Sequence, residues 1–195
     1  MLTKTFYQLI FVTVLTCTAV CSGCVTVLDA TTQNPIQTDP RQRSFGGYID
    51  DKQLKTIVAV NIRKASALLD EAHVVVYSFN SVVLLTGEVP NNETRILAGE
   101  TARKVNRVRL VHNELTVAEN SRFGARANDK WLKSKIKAKL LLHKDIDSGK
   151  VKVIVQNRTV YLMGLLTKIQ TEKITDVIKK TKGISKIIRA VEYIQ

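Results

Sequence analysis

Six residues in one short segment have the types and spacing of a binding surface: Trp131, Ser134, Lys135, Ala138, Leu141 and Leu142. At helical pitch they form one stripe on a single helix face. Lys130, Lys133, Lys135, Lys137 and Lys139 flank it. An indole settles at the headgroup level of a bilayer. Each lysine held near an anionic surface contributes about 1 kcal/mol. Modest apolar burial plus charge attraction is how an interfacial helix binds. The expected chemistry is therefore contact with anionic phospholipid, through Trp131, Lys133, Ser134, Lys135, Ala138, Leu141 and Leu142. Two plainer readings compete: the stripe packs against another part of the chain, or the lysines are a solvated face.

Reactive constellations are sparse. His73, His112 and His143 have no partner at metal-ligand spacing. No nucleophile elbow, zinc-protease, dinucleotide or P-loop motif occurs. The acidic pairs Asp50-Asp51 and Asp70-Glu71 read as helix caps and solvated turns rather than a general acid and base. Gly87 and Gly164 read as structural, giving positive φ or close approach of helix and sheet. The expectation is a binding protein with no catalytic residue, no metal and no cofactor.

Charge sharpens the stripe. The chain has 195 residues and a net charge of +13, with 45% apolar and 24% charged residues. This is one ordinary domain or two small ones. Residues 1–47 carry a net +1, residues 48–119 are neutral, and residues 120–195 carry +12. Such a surplus suits a polyanion, either nucleic acid or an anionic membrane.

The elements that must position these residues occur twice. Asp51-Lys52-Gln53-Leu54 aligns with Asp129-Lys130-Trp131-Leu132, Asn80 with Asn157, and Val83–Gly87 with Val160–Gly164. Each unit reads helix, strand, strand, helix, strand. Leu54, Val58 and Ile62 recur every four residues, as do Leu132, Ile136 and Leu140, predicting first helices capped by Asp51 and Asp129. Val74–Tyr77 and Val82–Leu85 read as strands around Asn80-Ser81, and Val151–Val155 and Thr159–Met163 as strands around Asn157-Arg158. Second helices are predicted over Asn92–Asn106 and Ile169–Lys182. Two helices on one face of a small mixed sheet make an α+β sandwich. The repeats differ beside the shared core stripe, where Gln53, Arg63 and Lys64 become Trp131, Leu141 and Leu142. The first unit folds without those apolar groups, so the second does not need them for its core.

This order resembles the BON domain, most specifically in Val160-Tyr161-Leu162-Met163-Gly164-Leu165 and the Trp131 helix. Two departures stand out: the Gly before the last strand is Gly183 in the second unit but Arg107 in the first, and Asn113 in the last strand of the first becomes Arg189. The resemblance implies two αββαβ domains, over 48–119 and 126–195, each with two helices packed on a three-stranded mixed sheet.

Upstream, Lys4, the apolar Phe6–Val20 and Ser22-Gly23-Cys24 resemble a lipoprotein signal peptide over 1–23, with Cys24 the acylated residue. Val25 rather than Asp follows it, which by resemblance to Gram-negative sorting implies the outer membrane, facing the periplasm. Residues 24–47, with Pro35, Pro40, Gly46 and Gly47, read as a flexible linker. All three Cys lie at or before position 24, so none is expected to serve the folded part as disulfide or metal ligand. The export signal and the missing aromatic platform argue against nucleic acid. The resemblance to two-BON-domain lipoproteins further implies anionic phospholipid binding through the Trp131 helix and support of envelope integrity at the division site. It also implies partners in the outer-membrane assembly machinery or among division-site envelope proteins. The alternative is an envelope scaffold that docks other outer-membrane proteins through the first BON domain.

Overall fold

Val82-Val83-Leu84-Leu85 and Val160-Tyr161-Leu162-Met163 are unbroken apolar runs, the pattern of a strand buried on both faces. In the computed structural model, which describes residues 45–119, 123–143 and 146–195, these runs lie in the central strands of two sheets. The segment read as a signal peptide, Cys24 and the linker reading up to residue 44 lie outside the described residues.

The first domain runs α1 (Phe45–Ala65), α2 (Ala67–Glu71), β1 (His73–Phe79), β2 (Val82–Val89), α3 (Asn92–Arg103) and β3 (Leu110–Val117). The second runs α4 (Phe123–Leu141), a 3₁₀ turn (Ser148–Lys150), β4 (Val151–Gln156), β5 (Thr159–Leu166), α5 (Lys168–Lys179) and β6 (Lys186–Tyr193). In each sheet the central strand pairs antiparallel with the strand before it and parallel with the last one. The α+β expectation holds. The one-turn helix α2, capped by Ser66, was not anticipated.

Alternate residues of the central strands serve different cores. Val83, Leu85 and Val89 meet Leu54, Val58, Ile62 and Ala98 beneath the helices of the first domain. Val160, Leu162 and Leu166 do the same with Leu132, Ile136, Leu140, Ile174 and Ile178 in the second. The opposite faces join a third cluster, in which Phe79, Val82 and Leu84 pack on Ile154, Tyr161, Met163 and Ala190. The two sheets thus pack through the faces their helices leave bare. Asn80 and Asn157, matched turn residues, each donate from Nδ2 to a carboxylate of the other domain, Glu192 and Glu88 respectively. Arg109 joins Glu192 through two nitrogens and holds its carboxyl below the usual carboxylate range. Lys152 Nζ donates to Ser78 O at 2.9 Å.

The expected capping role of Asp51 and Asp129 is corrected. The helices start earlier, at Phe45 and Phe123, so both aspartates sit inside them. Phe45 also lies inside the stretch read as linker. Each carboxylate is buried, at 3% and 6% exposure, and accepts hydrogen bonds from the hairpin turn of its own domain. Asp51 accepts from Ser78 Oγ, Asn80 N and Ser81 N, at 2.6–2.9 Å. Asp129 accepts from Asn157 N at 2.7 Å and Arg158 N at 3.0 Å. All four turn residues have positive φ, from 46° to 63°. Tight two-residue hairpins require this backbone, and non-glycine residues adopt it at a cost. The buried carboxylates offset that cost.

The glycine reading is corrected in part. Gly87 does have positive φ, +117°, but the close approach is between strands, not helix and sheet. A Cβ on Gly87 would stand 1.8 Å from His73 O, and one on Gly164 2.4 Å from Lys150 O. Gly87→Ala should therefore destabilise the protein by at least about 2 kcal/mol, read from urea unfolding. A loss under about 0.5 kcal/mol would show that the strands separate freely there. Arg107 and Gly183, the mismatched pair, share positive φ (74° and 99°). Arg107 tolerates it while pairing with Asp50 at 2.7 Å.

Candidate functional site

Three faces of α4 have different surroundings. Leu132, Ile136 and Leu140 enter the core. Trp131, Leu141 and Leu142 are turned to solvent, at 57%, 69% and 83% exposure. Ser134 and Ala138 are exposed between them, and Ser134 Oγ returns a bond to Lys130 O. The stripe is thus assembled on one face and does not pack on the first domain. Lys135 Nζ lies 4.7 Å from the centre of the Trp131 ring, a cation–π contact that orients the indole.

The lysine fringe divides. Lys130 stays exposed. Lys139 donates to Lys180 O and Thr181 Oγ1, at 3.0 and 2.9 Å, tying α4 to the end of α5. Lys133 and Lys137 turn away from the stripe into a cleft of about 510 Å³ between the domains. Burial, with Lys137 and Lys55 as like charges, holds the Lys133 ammonium below its usual range. Of the seven residues expected to contact lipid, Lys133 alone faces this cleft without belonging to the exposed stripe, while Leu141 borders both.

Sequence reasoning missed the first-domain side of the cleft, where Tyr48, Lys52 and Lys55 of α1 stand opposite α4. No local signal marks them, because their partners lie about 80 residues away. The bare sheet faces did carry a signal, the doubly apolar central strands.

Elsewhere, His73 Nδ1 lies 2.8 Å from Glu88 Oε2, and Gln156 Nε2 also reaches that carboxylate. His73 therefore sits in the domain interface. Among the described residues no three His, Cys, Asp or Glu side chains group to hold a metal, and no helix is long and apolar enough to cross a membrane.

Comparison with known proteins bears on the repeated unit. The sequence pattern of the BON domain matches residues 50–119 and 128–195. The chain is 34% identical over 159 residues to outer membrane lipoprotein DolP of Haemophilus influenzae, covering 82% of this chain and 81% of that protein. It is 33% identical over 157 residues to the 21 kDa hemolysin of Actinobacillus pleuropneumoniae, covering 80% of each. The C-terminal domain of CdsD, a structural protein of the Chlamydia trachomatis type III secretion system, superposes at a TM-score of 0.32. It has 11% identity and covers 70% of this chain and 96% of that chain, too distant to inform the site.

Proposed function

This chain belongs to the BON-domain family, carrying two copies, and we propose that it is a non-enzymatic outer-membrane lipoprotein that binds anionic phospholipid through α4. The observation that carries the reading is the exposed stripe of Trp131, Leu141 and Leu142 beside lysines on a domain of net positive charge. An apolar stripe left in water and rimmed by charge suits an interaction surface. The outer-membrane relative DolP supports the location, and the Ser22-Gly23-Cys24 sequence supports acylation at Cys24, facing the periplasm. Support of envelope integrity at the division site belongs to the same reading.

Trp131 is the only tryptophan, so its emission reports on α4 alone. Anionic phosphatidylglycerol vesicles should shift it to the blue and co-sediment the full chain, with binding weakened by salt. Equal response to zwitterionic phosphatidylcholine vesicles, or no shift, would overturn the reading.

The second reading is a scaffold that docks outer-membrane assembly or division-site proteins through the first domain. Its support is the apolar Ile57, Ile96, Leu110 and Val117 exposed on that otherwise neutral unit.

A further inference from the structure

The cleft between the domains is a separate feature from the exposed stripe. Its walls mix two chemistries. Lys52 and Lys55 come from α1, Lys133 and Lys137 from α4 and Lys152 from β4, while Leu141 supplies exposed apolar surface above the nearly buried Phe79 and Leu140. Lys152 is committed to Ser78 O. Among the described residues, Lys52, Lys55, Lys133 and Lys137 make no ion pair with a carboxylate. The one acid lining the cleft, Asp51, accepts hydrogen bonds from Ser78, Asn80 and Ser81 with its two oxygens. Four lysines from two domains therefore line a shared space in which Asp51 is the one carboxylate.

Like charges gathered around one space raise its positive potential, which favours an anion there. Lys133 already carries the mark of this crowding, its ammonium destabilised by burial and by Lys137 and Lys55. The exposed apolar side chain of Leu141 on the wall adds a second requirement, since a simple inorganic anion gains nothing from it. Leu141 belongs to both the cleft wall and the exposed stripe, so the cleft opens beside the surface assigned to the membrane.

We infer that this interdomain cleft holds the phosphate headgroup of one anionic lipid molecule, clamped by Lys52 and Lys55 of the first domain and Lys133 and Lys137 of the second. The lipid as source rests on the reading of α4 as a membrane contact; the cationic clamp does not. The headgroup neutralises the facing lysines, while the first part of its chains lies along Leu141. Binding at this site couples the domains, because each supplies half of the charge. A membrane contact through α4 alone would involve the second domain only.

The test is an amide NMR titration of the full chain with dihexanoylphosphatidic acid below its micelle concentration. Dihexanoylphosphatidylcholine and inorganic phosphate serve as separate arms. Saturable shifts at Tyr48, Lys52 and Lys55 as well as at Lys133 and Lys137 are expected. Affinity should be at least tenfold weaker for each of the other two probes. The double variant Lys55→Gln, Lys137→Gln changes exposed side chains, so it should fold yet lose the saturable shifts. Trp131→Ala should keep them. Shifts confined to α4, survival of binding in the double variant, or equal binding of inorganic phosphate would each overturn the inference. Shifts at α1 that persist while Trp131 emission ignores anionic vesicles would support the clamp and sink the α4 membrane reading instead.

Discussion

Asp129→Ala is expected to lower the unfolding temperature by roughly 6–12 °C, the equivalent of about 3 kcal/mol in a protein of this size. The carboxylate accepts the backbone N–H groups of Asn157 and Arg158, and it is buried. Hydrogen bonds to a charged acceptor contribute about 1.5–3 kcal/mol each, and truncation leaves the donors unmet. Both turn residues also hold positive φ, which the lost bonds had helped to offset. Hydrogen exchange should show β4 and β5 opening first. A thermal shift under about 3 °C would mean that the turn is stable by itself and that the aspartate is incidental.

The second large effect concerns binding rather than folding. Trp131→Ala combined with Leu142→Glu should reduce affinity for anionic vesicles at least about thirtyfold. Losing the indole and one leucine from the interface removes about 1–2 kcal/mol of partial apolar burial. A new negative charge against an anionic surface adds about 1 kcal/mol more. Leu142 is the better choice over Leu141, because Leu141 also borders the interdomain cleft. Both substituted positions are exposed, so stability should move by less than about 0.5 kcal/mol per site. Undiminished co-sedimentation of the folded double variant would remove α4 as the membrane contact.

Much of this was legible in the chain because it is local. The four-residue recurrence of Leu132, Ile136 and Leu140 specifies a helix face whatever the helix packs against. Comparison of the repeats separated Trp131, Leu141 and Leu142 from that core stripe, and all three are exposed. Asp51 and Asp129 show the limit. An aspartate before an apolar helical run has the look of a cap, and the run does not reveal that the helix continues upstream through Phe45 or Phe123. The value of the carboxylate depends on a turn some 30 residues away, which no helical periodicity encodes. Gly164 is similar, since its constraint is the carbonyl of Lys150, at the end of the 3₁₀ turn that leads into β4.

The sequence by itself determined the repeated α+β unit, the placement of the positive charge in the second unit and the apolar stripe on α4. Each follows from spacing within one element or from comparing two copies of it. Only the tertiary structure decided that the bare sheet faces meet through Phe79, Leu84, Tyr161 and Met163. That packing in turn brings Lys52 and Lys55 opposite Lys133 and Lys137. The physical reason is that side-chain periodicity specifies which face of an element is buried. Which distant element covers that face, and what cleft the meeting leaves, depends on how residues about 80 positions apart pack in space.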